Sequence, residues 1–565
     1  LSPALSALLI KRNKAVPQKR RKRNPLKWFF NRFNIFFNKL LPNYETVLRF
    51  LTRKRNRWIP VGIVACACAL MFILSRSIPT GFVPQEDSGT VMGSISLAPG
   101  TALEKTDSIV NQVAKIAGEI KGVESVFTLS GTSLVTGQSS SYGSLFISMA
   151  PWNDRKNTSE DVTNRLFQKT ESITDATFIF FPVPTLQGFG TSSGIEIKIQ
   201  NKLGYDIDDF NAVTTAFVNA MRGREEVLMA ATLFNPDFPQ MEIVANVAKI
   251  KEAGLTLTEV MQTLQAYVGS MYVSSFNAFG RQFKVVIQAA PEDRTKLDDV
   301  DNMYVRTSGG EMAAITEFLT FNSTTGPQAL ERFNMFGSME VMMMPKPGYT
   351  QGDLIKVIDE VSKEVLPLGY GYDYAGISRE EANSGNQIIL IFLISLILVY
   401  FILSGLYESF ITPLAVLISL PVGLCGVFIF VYFAMISGTG IVNNIYVQIA
   451  LIMLIGLLAK NAILIVEYAL KRRKEGLSIV DAAITAAKER LRPILMTSLT
   501  MIIGLLPLAL ASGAGALGNN SIGISVIGGM TIGTLLGVFV IPVLFILFQS
   551  LHERITGKTH TKEES

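Results

Sequence analysis

The sequence predicts an α+β membrane protein, a bundle of apolar helices carrying one large water-exposed domain. Three observations predict it. Residues are 48% hydrophobic and only 17% charged, too apolar for a soluble globule, yet a long central stretch is ordinary and polar. Six segments are long and apolar enough to span a bilayer, with some 300 polar residues between the first and the second. Those polar residues alternate strand-like and helix-like patterns, twice over.

Residues 1–10 read as the last turns of a truncated apolar helix, which makes the chain the C-terminal part of a longer polypeptide. Residues 11–57 are strongly basic, with Lys19–Arg23 and Arg53–Arg55 interleaved with Trp28, Phe29, Phe30, Phe33, Phe36 and Phe37. That mixture suits a helix lying on anionic membrane lipid. A nucleic-acid role is set aside because a spanning segment, 58–78, follows at once. The remaining spans are 386–407, 411–436, 445–470, 493–512 and 522–548, and 549–565 is a polar tail. Lys471–Lys474, the 11–57 segment and the tail fall on one side, whereas Ser437–Asn444 and Ser512–Ser521 carry no charge. By the positive-inside rule the charged side is cytoplasmic and the polar domain lies outside, which is the periplasm if the cell is Gram-negative.

Within that domain, residues 79–190 read as strand, helix, two strands, helix and strand, the order of a ferredoxin-like split βαβ unit. A second such unit starts at 191–237 and finishes only at 331–385, so 238–330 is an inserted subdomain. Cys66, Cys68 and Cys425 lie in apolar segments and both histidines in the tail, which implies neither a disulfide framework nor a histidine metal centre. Gly557-Lys558-Thr559 ends like a phosphate loop, but His552 stands where its first glycine belongs and no strand precedes it. No cofactor is expected, and an ion gradient remains as the energy source.

Between Glu408 and Glu467 the chain carries a single charge, Lys460. A lysine at mid-helix in hydrocarbon costs about 2.5–3.5 kcal/mol, so it needs a partner or a task. The basic cluster at Lys471–Lys474 lies too far along the helix for a four-carbon stem to reach. Lys460 therefore reads as part of a buried ion relay, with a helix-end anchor as the alternative.

Several segments resemble the resistance–nodulation–division (RND) transporters, specifically the hydrophobe/amphiphile efflux branch typified by AcrB and MexB. They are Gly-Phe-Val-Pro-Gln-Glu-Asp-Ser-Gly (81–89), Leu-Tyr-Glu-Ser-Phe (406–410), Ala-Lys-Asn-Ala-Ile-Leu-Ile-Val-Glu (459–467) and Arg-Leu-Arg-Pro-Ile-Leu-Met-Thr-Ser (490–498). The resemblance implies helices seven to twelve of a twelve-helix pump, with two porter subdomains and a docking insert. It implies that Lys460, Thr497 and Arg490 belong to a proton relay completed by paired aspartates on a helix outside this chain. From the residues alone, Thr497 would bond its own backbone and Arg490 would be a positive-inside anchor.

A candidate substrate cleft follows from strand alternation. Leu145, Ile147 and Met149 share one face, and Phe146 shares the other with Ser144 and Ser148, while Phe127 sits with Ser125 on the partner strand. Either this aromatic and hydroxyl face is a cleft, or a neighbouring subdomain caps it. The resemblance favours the cleft, because Phe127 and Phe146 match phenylalanines of a distal drug pocket and Ser130–Ser141 matches a flexible switch loop. Thr132 and Leu134 stand where better-known members carry phenylalanines, Ile179 and Phe181 match two aromatic channel positions, and Met92, Glu340 and Met342 align with an entrance-side pocket.

The function so implied is proton-driven export of small amphiphilic compounds by a homotrimer in the inner membrane, acting with a periplasmic adaptor and an outer-membrane channel. Ser274–Val286 in the insert would face that channel. Met342-Met343-Met344 invites copper or silver efflux as an alternative, although only Met342 and Met344 share a face. A non-transporting receptor or secretion accessory is a third reading.

Overall fold

The computed structural model describes residues 25–556 apart from 85, 134–136, 187–193, 233 and 347. The expectations for residues 1–24, Leu134 and 557–565 lie outside the described residues. The chain divides into two compact units, residues 1–86 with 383–565, and 87–382.

The first unit opens with α1 (Pro25–Thr52) and α2 (Trp58–Ser77). The side chains of Trp28, Phe29, Phe30, Phe33 and Phe36, on which the interfacial reading rests, lie outside those described, and further along α1 protein covers the apolar side. Phe37, Tyr44 and Leu48 are buried among the other helices of this unit, and the Tyr44 hydroxyl donates to the Val538 carbonyl at 2.8 Å.

The second unit contains β1 (Thr90–Leu97), α3 (Leu103–Gly118), β2 (Val123–Ser133), β3 (Gly137–Met149), α4 (Ser159–Thr170) and β4 (Ala176–Pro182). These strands form one antiparallel sheet in the order β2-β3-β1-β4. Spacing of three and four residues puts Thr106, Val110, Val113 and Ala117 of α3 on one buried face. A Thr158–Asp161 capping box starts α4. The core under the helices holds Val91, Ile95, Leu145, Ile147 and Phe180, the aliphatic face that alternation predicted.

The pattern repeats in β5 (Ile195–Asn201), α5 (Ile207–Arg222), β6 (Val227–Ala231), β7 (Phe336–Pro345), α6 (Gln351–Val365) and β8 (Tyr370–Tyr374). The order is again second, third, first, fourth, with β6-β7-β5-β8. A short strand, Glu331–Phe333, shares the β6 edge of β7. Between β6 and β7 lies a separate small body with its own core of Ile250, Val260, Ile315 and Leu319. It includes an exposed hairpin, Met271–Ala278 with Arg281–Ile287.

The first unit resumes within α7 (Gly376–Tyr407), from residue 383, and continues in α8 (Thr412–Leu417), α9 (Leu420–Ile436), α10 (Ile445–Lys474), α11 (Ile479–Ala509) and α12 (Ala516–Thr556). Among the described residues, six helical segments are long and apolar enough to cross a membrane, counting α8 and α9 as one. The helices outrun the hydropathy spans: α11 begins 14 residues before 493 and passes through Pro493. The 411–436 span is broken between Leu417 and Leu420, where Pro421 follows. Glycines let α9 and α12 meet closely. A Cβ on Gly426 would lie 2.6 Å from the Gly528 carbonyl oxygen, and one on Gly528 2.8 Å from that of Gly426.

Candidate functional site

Two groups of side chains, one in each unit, carry the candidate chemistry. In the helical unit α10 is half-buried overall, with an exposed stripe of Met453, Gly456, Lys460 and Glu467. Asn444 fixes its start by accepting from the Tyr446 and Val447 N–H groups while donating to Ser521 Oγ at 3.0 Å. Lys460 is thus on an open face, and among the described residues it has no hydrogen-bond or ion-pair partner. Thr497 is also exposed, and its hydroxyl donates to the Ile494 carbonyl at 3.0 Å, the local bond that its residue type predicts. Arg490 lies over the Tyr468 ring at 4.6 Å. The Tyr468 hydroxyl bonds Glu489, and Arg472 bonds both, tying the end of α10 to α11.

The residues that sequence reasoning missed lie one position further along. Asn461 Nδ2 donates to Ser498 Oγ at 3.2 Å, and Thr534 Oγ1 to the same oxygen at 2.9 Å. All three are buried, so this chain of bonds fixes the rotation of α10 and α11 against α12. Lys460 and Thr497 immediately precede Asn461 and Ser498, so one seam sets the facing of both. An asparagine directly after the lone lysine of an apolar helix was the available signal.

In the sheet unit the register places Phe181, Met92, Phe146 and Phe127 in one row across β4, β1, β3 and β2. The next row is Ile179, Ser94, Ser144 and Leu129. Phe127 and Phe146 rings are 5.8 Å apart and tilted, and Phe127 is 60% exposed. The other end of the face is covered. Ile179 and Phe181 are each 2% exposed, packed with Ala231, Met92 and Met229, so this end of the face is capped while Phe127 stays open.

The expected loop 130–141 is mostly strand, because Thr132 pairs with Gln138 and Ser133 with Gly137 across a bulge next to Gly131. The Thr132 carbonyl accepts the Ser144 hydroxyl at 2.9 Å. Gln328 holds this hairpin to the second sheet's side of the unit, accepting from Tyr142 Oη at 2.9 Å and donating to the Gln138 carbonyl at 3.1 Å.

Beside Gln328 opens a cleft of about 100 Å³, open to solvent and walled by Tyr142, Phe234, Glu331, Ser338, Glu340 and Met342 among others. Two of the predicted entrance residues, Glu340 and Met342, thus line one cavity, and Met92 sits in the adjoining apolar cluster. Burial pushes the Glu340 carboxyl above the usual range, with Lys198 opposing the shift. Met339 and Met343 pack in an aliphatic core with Ile197 and Ile358.

A polytopic membrane protein with twin α/β sheets is the class that these features define. The chain belongs to the AcrB/AcrD/AcrF family, whose model matches residues 1–549. It is 35% identical over 562 residues to the multidrug resistance protein MdtF of Escherichia coli K12, covering 98% of this chain and 53% of that protein. It is 34% identical to the multidrug export protein AcrF of the same strain (97% and 52% covered) and 33% identical to the multidrug/solvent efflux pump membrane transporter MepB of Pseudomonas putida (97% and 52%). The chain spans about half the length of these curated relatives.

Proposed function

We propose that this chain is half of an ion-driven exporter of small amphiphilic compounds, and that Lys460 is its charge-moving group. The observation that carries the reading is a lysine amine without a partner among the described residues, on the open face of an apolar helix, with Thr497 on the neighbouring helix. Such a cation demands a carboxylate from elsewhere. An N-terminal half packed on this face would supply it, and proton binding to that carboxylate would release the lysine. Protons moving down their gradient, at about 2.3 kcal/mol per charge per 100 mV, would then drive the cycle without a cofactor.

The twin sheets are read as ferredoxin-like porter subdomains (79–190, and 191–237 with 331–385), and 238–330 as a docking insert. The cleft beside Glu340 and the Phe127–Phe146 pair would hold substrate. Relatives named for multidrug and solvent efflux support this assignment. In the full assembly the pump would be a homotrimer in the bacterial inner membrane, with the sheets in the periplasm and an adaptor and outer-membrane channel as partners.

Lys460→Met in the intact pump tests it. Export of an amphiphilic dye should fall to the level of cells without the pump, with the variant still in the membrane. Export at the wild-type rate would refute the relay.

A further inference from the structure

We infer that the cleft beside β7 selects amphiphiles with a cationic head group, and that Lys198 with Glu331 and Glu340 sets this preference. The inference rests on the export reading for its biological role and adds the substrate class. Register builds the group. Lys198 on β5 pairs with Glu340 on β7, and Glu331 pairs with Ser338, two residues before Glu340 on the same face. The Lys198 ammonium donates to Glu331 at 2.7 Å and to Glu340 at 2.5 Å. Its side chain is only 14% exposed, so the bridge is held in place by its surroundings.

Both carboxylates line the cavity, but Lys198 does not, and among the described residues no lysine or arginine does. Two carboxylates, Glu331 and Glu340, stand against one ammonium. An ammonium takes one direction of each hydrogen bond, and each carboxylate keeps lone pairs for a second cation. A ligand cation can therefore join the group without expelling Lys198, whereas an anionic head meets excess negative charge in a half-buried wall.

Two further features suit an amphiphile. Phe234 and Met342 supply apolar wall for its body. Ser338 lines the same cavity, is 5% exposed, and its hydroxyl has no hydrogen-bond partner among the described residues. A buried hydroxyl left without a partner at a cavity wall is a vacant donor and acceptor for a ligand.

The test is equilibrium binding to the purified intact pump, read by fluorescence polarisation with two xanthene dyes, cationic rhodamine 6G and anionic fluorescein. The wild type should bind the cation at least about tenfold more tightly. Glu331→Gln with Glu340→Gln keeps shape and hydrogen bonding, and it should shrink that ratio by about tenfold. Lys198→Met should move the ratio the opposite way, a response that misfolding does not produce. Equal binding of the two dyes by the wild type, or a ratio that ignores all three substitutions, would overturn the inference. Because binding is measured without transport, failure here is separate from failure of the Lys460→Met export test.

Discussion

The Arg155 side chain is 2% exposed and bonds the Asp87 carboxylate at 2.7 Å and the Asn157 carbonyl at 2.6 Å. A charge so deep depends on its partner, and breaking such a pair costs about 3–5 kcal/mol because the survivor stays buried. Asp87→Asn should therefore lower the stability of the sheet unit by about 3 kcal/mol, measured by denaturant melting of the intact protein. Burial opposes ionisation of Asp87, but bonds from Arg155 and the Gly89 N–H hold its carboxyl below the usual range. A depressed folded-state value means that this stabilisation is complete above about pH 4 and is lost as pH falls through the folded value. The wild type should lose its advantage over Asp87→Asn in that acid window; an unchanged difference would argue against the pair. Single residues were readable where the chemistry is local. Lys460 stood out as a lone charge, and Thr497 bonds its own helix as its type predicts. Lys198 gave no such signal, since a lysine on a strand is unremarkable until its two partners are found.

Between elements, contact distance decides which substitutions are tolerated. A Cβ at Gly528 would sit 2.6 Å from Phe430 and 2.8 Å from a carbonyl of the facing helix, so α9 and α12 cannot keep their spacing with a larger residue. Gly528→Val should cost about 3 kcal/mol and give a broadened, aggregated profile in size-exclusion chromatography. Gly504→Val, where a Cβ meets nothing within 4 Å, should elute as the wild type. The seam behaves similarly: Ser498→Ala leaves Asn461 and Thr534 without their shared partner, at a cost of about 1–3 kcal/mol in thermal stability. Existence of the helices was legible from hydropathy, but their ends were not. Hydropathy marks where lipid ends, and α11 continues beyond that point through Asp481, Lys488 and Arg492 because backbone hydrogen bonding carries on. Strand faces were legible too, since alternation is a property of the backbone itself.

At the scale of the whole molecule, the helical unit keeps α2, α7 and α11 largely uncovered while α9 and α12 are mostly buried. Lys460 shares that openness. If a second half of the pump packs there, Lys460→Cys should react with a membrane-permeant maleimide when this chain is expressed alone and be protected when both halves are present. Cys66 and Cys68 are exposed, so the comparison needs them replaced by serine. Equal labelling in both states would place the partner elsewhere.

The sequence by itself determined the spanning segments, the strand alternation that separates an aliphatic from an aromatic face, and the isolated charge at Lys460. All of these depend on a period or a composition within a few turns of chain. Only the tertiary structure decided that Ile179 and Phe181 are covered by Ala231 and Met229. It also decided that Lys198 meets Glu331 and Glu340, and that Asn461, Ser498 and Thr534 share one oxygen. These contacts join residues far apart in the chain, and their partners are chosen by sheet register and helix packing, which act through space and leave no local pattern to read.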